Sequence, residues 1–286
     1  MEVVTQQVDF DQLTLKDLVR LFRTKAILIV TFSLICGILA GVAAFRAPKW
    51  YQASVVLSPV DTTNNGNMAN SVTSQLGGIA ALAGLSMSGD SKKAEAVAVL
   101  QSEALTERYI DKNQLLPVLY QKDWDAATHS WKHPLDPPTL WKANQLFKKS
   151  LRTIAIDSKT GIVTLKIDWK DPVVAANWAN GIVDMTNEVL RNKAITESER
   201  NVAYLTDQAA RTNIVEVRNA IYGILEGEIK KAMLARGSEE YAFRIIDPAR
   251  PSEKQSSPIK SLWIVVGLFA GFFISTLVAF IHSSWN

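Results

Sequence analysis

Two apolar runs without a charged side chain, 26–45 and 262–281, stand near the two ends of the chain, and the stretch between them mixes polar and apolar residues at shorter periods. Each run is about twenty residues long, enough for a helix to cross a hydrocarbon core of roughly 30 Å. Both are predicted membrane spans.

Inside that frame the pattern changes several times. Residues 50–57, rich in aromatic and β-branched side chains, predict a strand that stops at Pro59. Residues 64–90 mix Asn, Ser and Gly with Ala and Leu and predict a loop or a short helix. From Lys93 to about Asn113, Val97, Leu100, Ala104 and Leu105 recur at helical spacing. A connection containing Pro134, Pro137 and Pro138 cannot be regular throughout, and a second helix is expected from Thr139 to about Ser150. The clearest β signal follows: 151–157 and 162–169 alternate, joined by 158–161, and predict a hairpin.

Asp171 and Pro172 then open a helix as N-cap and first helical residue. No proline interrupts 172–236, and apolar residues keep three-and-four spacing in blocks. Unbroken, that segment would measure roughly 100 Å at 1.5 Å per residue. The polar stretch 192–201 interrupts the seam and argues against a continuous two-stranded coiled coil, while a shift of the stripe leaves a bend or hairpin open near Thr212 and Asn213. Residues 241–247 read as a strand, and Pro248, Pro251 and Pro258 as an extended, stiff connector. The predicted fold class is α+β, with two transmembrane helices flanking an α/β base domain from which a long helix extends.

Charge sets the expected orientation. Lys16, Arg20, Arg23 and Lys25 crowd the entrance to the first run, and positive flanks are retained on the cytoplasmic side. A cleaved leader is disfavoured, because Arg46, Ala47, Pro48 and Lys49 follow in place of a small-residue cleavage site. The expected organisation is a cytoplasmic segment 1–25, spans 26–45 and 261–281, a periplasmic domain 46–260 with its long helical region 171–236 and connector 248–260, and a cytoplasmic tail 282–286 in an inner-membrane protein. A net charge of +3 gives no indication of nucleic-acid binding, and Cys36, the single cysteine, leaves no intramolecular disulfide or cysteine metal cluster.

Catalytic signatures are missing. The glycine-rich run 84–91 lacks the lysine of a phosphate-binding loop, and His129 and His133 are followed at once by Pro134 with no glutamate between them. Glu95, Glu103, Glu107, Glu197, Glu199, Glu226 and Glu228 read as solvated helix faces. No catalytic, cofactor or metal residue is expected. The informative motifs concern packing. Gly37 and Gly41 in the first span and Gly267 and Gly271 in the second are Gly-x-x-x-Gly pairs that let helix backbones approach in lipid, within a subunit or between subunits. Val202, Leu205, Ile214, Val217 and Ile221 form a stripe expected to pack on a neighbouring subunit or a returning helix.

The order of these segments resembles the polysaccharide chain-length determinants, the Wzz-type polysaccharide co-polymerases. The matching stretches are 13–22 before the first span, Trp50-Tyr51 and 57–59 after it, 115–120, 163–172 with 175–180, 239–248, and 257–260 at the second span. The resemblance implies a non-enzymatic inner-membrane regulator of O-antigen, capsule or exopolysaccharide chain length. Its implied partners are further copies of itself in a ring, a polytopic polymerase, a lipid-linked glycan and the membrane. Neither a nucleotide-binding kinase domain nor a tyrosine-rich tail is visible in the 286 residues, which sets the chain apart from the autophosphorylating branch. A different reading makes it a membrane adaptor that activates a separate cytoplasmic tyrosine kinase.

Overall fold

The structure is a computed structural model that describes residues 15–60 and 89–284, with side chains over 26–60 and 91–278. The segment expected to be a loop or short helix falls, up to residue 88, outside the described residues, as does part of the basic N-terminal segment. Two units are distinguished, one made by the chain ends 1–50 and 254–286 and the other by Tyr51–Glu253.

In the first unit, α1 (Leu15–Arg46) and an antiparallel partner helix at the other end of the chain, Lys260–Ser284, pack along each other. Both extend beyond the apolar runs, and both are long and apolar enough to cross a membrane. Most of their large side chains face outward, Ile27, Val30 and Phe273 among them, which suits helices whose surroundings are lipid. Beside them, Trp50 donates its N–H to the Ser257 carbonyl at 2.9 Å, and Ser256 returns an N–H to the Trp50 carbonyl at 2.8 Å. The Ser257–Pro258 peptide is cis.

The second unit is the α+β base. β1 (Tyr51–Pro59) runs first, followed after the undescribed stretch by α2 (Gly89–Gln101) and α3 (Glu103–Lys112). A single helix was expected there, but Ser102 breaks it. Its backbone is extended and its Oγ accepts the Leu105 N–H at 3.1 Å, so it N-caps α3. Arg152 meets the end of α2, donating to the Leu100 and Gln101 carbonyls at 3.2 Å each and to Thr106 Oγ1 at 2.7 Å. The Pro-rich connection holds α4 (Leu116–Leu119) and a short ribbon, β2 (Trp124–Asp125) paired with β3 (Ser130–Trp131). The helix expected at 139–150 is α5 (Leu140–Leu146), and it ends in a π-helical turn, Phe147–Leu151, which takes Leu151 out of the following strand.

β4 (Arg152–Ile156) and β5 (Val163–Trp169) form the expected antiparallel hairpin. Gly161, at φ +68°, supplies the left-handed residue its turn needs, and the Asp157 carboxylate accepts from Lys159 N and Thr160 Oγ1. With β1 and β6 (Phe243–Asp247) these strands make an antiparallel sheet in the order β4-β5-β1-β6. One face of the central pair is sealed: Ala53, Val55 and Leu57 from β1 and Val163, Leu165 and Ile167 from β5 are buried. Against this face lies α6 (Pro172–Arg211), whose Ala175, Ala176 and Ala179 permit close approach and whose Trp178 stacks with Trp169 and Phe147 at 4.8 and 5.6 Å between ring centroids. Each large aromatic buried there contributes roughly 1.5–3 kcal/mol from area alone. Asp171 caps α6 as expected, its Oδ1 accepting from Val173 N and Val174 N.

The long helical region does not continue to residue 236 as one helix. Thr212 and Ile214 take extended backbone angles, and α7 (Val215–Arg236) returns along α6. Arg236 and Glu199 form an ion pair across the hairpin.

Candidate functional site

In the span pair, every glycine of the two Gly-x-x-x-Gly motifs lies at the helix contact. A Cβ added at Gly37 would stand 2.7 Å from Leu268 Cδ2, at Gly41 3.3 Å from Ile264 Cγ1, and at Gly271 2.7 Å from Cys36 Cβ. At Gly267 it would collide with Ala40 Cβ and come within 3.3 Å of the Gly37 Cα. Ser33 Oγ, one turn before Gly37, donates to the Leu268 carbonyl at 2.7 Å. Small residues bring the backbones together, and a hydroxyl then bonds across the gap. Near the other end of the pair the Lys260 ammonium lies 4.3 Å from the Phe45 ring centroid.

The stripe residues divide between two helices. Val202 and Leu205 on α6 are half-buried, as is Ile221 on α7, in keeping with the returning helix. Ile214 and Val217 remain 59% and 44% exposed, and Val215, Tyr222 and Ile224 beside them are also open. Of the connector prolines, Pro248 and Pro251 follow β6 in the base unit and Pro258 carries the cis bond in the span unit.

Two residues carry more of the architecture than their sequence suggested. Asn180 and Asn187, seven apart on one face of α6, hold the returning chain by its backbone. Asn187 Oδ1 accepts from the Ala242 and Phe243 N–H groups at 2.8 Å each, and its Nδ2 donates to the Phe243 carbonyl at 3.0 Å. Asn180 exchanges the same kind of pair with Ala249, at 2.9 and 3.0 Å. Two apolar-face asparagines at heptad spacing were the available signal.

Four of the seven helix carboxylates form ion pairs, Glu199 with Arg236 and Glu228 with Lys231 among them. Glu95 pairs with Lys193 at 2.5 Å and Glu103 with Lys148 at 3.0 Å. Among the described residues no group of three or more His, Cys, Asp or Glu side chains is placed to hold a metal ion. A groove of about 430 Å³ between α3 and α6 brings Asp184 and Glu188 together one helical turn apart. Burial raises the pKa of Asp184, whereas a hydrogen bond from Lys112 at 2.9 Å lowers that of Glu188. In the same groove the Tyr109 phenol is pushed up to about 12 by burial and then by Asp184, and its Oη lies 2.6 Å from where a Cβ on Gly181 would be.

Residues 11–113, which include α1, β1, α2 and α3, match the family model described as Wzz, chain length determinant protein. The match spans 103 of the 286 residues and makes this part of the chain similar to the Wzz chain length determinants. The segment 212–284, from the hairpin turn through the second span, matches a further model, described as GNVR, a G-rich domain on putative tyrosine kinase. A solved structure titled "full-length bacterial polysaccharide co-polymerase" aligns over 96% of this chain and 98% of its own at 10% identity and a TM-score of 0.39, a likeness too slight to carry an argument. No curated protein matches the chain. The first matched segment holds the first span with β1, α2 and α3, and the second holds α7, β6 and the second span.

Proposed function

We propose that this chain is a non-enzymatic inner-membrane regulator that sets the length of a surface polysaccharide, O-antigen, capsule or exopolysaccharide, by acting as an oligomer beside a membrane polymerase. The observation that carries this reading is the match of 11–113 to the chain length determinant family. The geometry gives it a mechanism. The base fixes the root of the α6–α7 hairpin, the exposed apolar residues near the turn meet another copy, and a ring of copies presents repeated surfaces to the polymerase and its lipid-linked glycan. In this reading both termini are cytoplasmic and the base is periplasmic, as the basic flank of the first span favours. Deleting the gene and resolving the cell's glycan on a gel tests the function: a ladder that loses its modal length supports it, and an unchanged ladder refutes it. A reporter active only in the periplasm tests the topology, with activity expected for a fusion within 64–67 and none after Asn286.

The match over 212–284 favours a second reading, an adaptor for a separate cytoplasmic tyrosine kinase. Co-purification with a soluble kinase, and none with a polytopic polymerase, would select it. A hydrolase reading would rest on Asp184 and Glu188, whose pKa values are pushed apart as an acid and a base require. Under the non-enzymatic reading Asp184→Asn leaves the glycan ladder unchanged.

A further inference from the structure

The Pro-rich connection between α4 and α5 lines an open groove of about 570 Å³ that neither the hairpin nor the spans explain. Its walls are fixed by the connection's own bonds. The ribbon strands set Trp124 edge-on against Trp131, 4.8 Å between centroids and 69° between planes, so the Trp131 indole is braced from one side. The backbone N–H of Lys132 donates to the Asp123 carbonyl at 2.9 Å, and its ammonium donates to the Lys122 carbonyl at 2.8 Å. On the opposite wall Lys142 Nζ lies 3.2 and 3.4 Å from the two oxygens of Asp136, and Thr139 caps α5 through Lys142 N. Tyr120, Trp131 and Pro134 thus share the groove with two carboxylates, Asp123 and Asp136, and two ammonium groups, Lys132 and Lys142.

We infer that this groove binds a sugar unit of a neutral or weakly charged glycan. A pyranose ring has an apolar C–H face and a rim of hydroxyls that both donate and accept. The groove offers the complement, aromatic faces of large area and low conformational cost beside carboxylates that accept and ammonium groups that donate. Its size lies within the range of small-molecule sites. Beside His133 the two acids balance the two lysines, so the site lacks the excess of fixed positive charge that binding a polyanion such as nucleic acid needs. That the sugar belongs to the cell's own surface glycan rests on the proposed function; the sugar site itself does not.

The test uses the full chain in detergent and, as probes, repeat-unit oligosaccharides released by mild acid from the producing cell's surface glycan. Saturation-transfer NMR and calorimetric titration should show saturable binding that Trp131→Ala weakens about tenfold or more, a loss of one aromatic contact and its area. Trp131→Phe should retain most of the affinity, which separates loss of the platform from loss of the fold. Trp141→Ala, at a side chain 61% exposed and outside the groove lining, should bind as the unmodified chain does. Affinity should hold between about 50 and about 500 mM NaCl, where screening would remove an ionic site. Absence of binding, full binding by Trp131→Ala, or collapse of binding in salt overturns the site. If binding fails while gene deletion still abolishes the modal length, only this site is wrong; if binding persists and deletion leaves the ladder unchanged, the chain-length reading is wrong and the site stands.

Discussion

The root and the tip of the α6–α7 hairpin use the same three-and-four spacing of apolar residues in opposite surroundings. At the root, Ala175, Trp178, Ile182, Met185 and Leu190 are buried where α6 packs on the sheet, α2 and α3. Past Ser198 the only buried residue of α6 is Ala209, and on α7 only Ala232 and Ala235 are buried, both at the end nearest the base. Helical periodicity therefore specifies a face to be covered without saying what covers it. At the root the cover is the protomer's own sheet; toward the tip one helix covers part of the other, and Ile214, Val215, Val217, Tyr222 and Ile224 stay open. A patch of that kind on a lone protomer is a liability, and on a protomer within an assembly it is an interface.

That contrast predicts unequal responses to substitution. The largest effect should come from Asn187→Ala at the root. It strands two buried backbone N–H groups and one carbonyl, at a cost of about 2–4 kcal/mol, and denaturant unfolding of the full chain in detergent should show it. Next, Gly267→Leu in the spans forces apart backbones that a single Cβ would already bring into collision, at about 1–3 kcal/mol. Thermal aggregation in detergent should begin earlier while the protein still inserts, and an unaltered profile would mean that the spans do not pack through this face. At the tip, Val217→Asp should change protomer stability by no more than about 0.5 kcal/mol, because its side chain is already open to solvent.

The smallest expected effect is electrostatic. Glu188 has its folded pKa lowered by Lys112, so its contribution is present above the unfolded value of about 4.5 and fades as the pH falls through the lower folded value. Both side chains are more than a third exposed, so the contribution is held to about 0.5 kcal/mol or less. Lys112→Met should flatten that acid limb, read from denaturation midpoints at pH 3 to 6, about the span of the titration.

What the sequence made legible follows the reach of each signal. The β4–β5 hairpin, the Asp171 cap and both apolar helices rest on patterns within a few residues, and each appears where expected. The break at Ser102 was hidden because a serine inside an apolar row does not by itself end a helix; only its cap bond to Leu105 marks it. The turn at 212–214 carries no glycine or proline, so the stripe shift near Thr212 was its single trace. Asn187 was missed for another reason: its partners lie 55 and 56 residues along the chain, so the heptad spacing of Asn180 and Asn187 marks a shared face without naming what it holds. The connection between α4 and α5 was legible as irregular, but irregularity does not disclose that Trp124 and Trp131 meet edge to face across a ribbon.

The central claim, that the open tip of the hairpin is an interface between copies, is tested most directly by multi-angle light scattering of the full chain in mild detergent, read beside the glycan ladder. The unmodified chain should scatter as a multiple of the protomer mass. Val217→Asp with Ile224→Asp, both at open side chains, should lower that mass and shift the modal length together, with the base still folded. A monomeric mass for the unmodified chain under conditions where chain-length control persists would contradict the account.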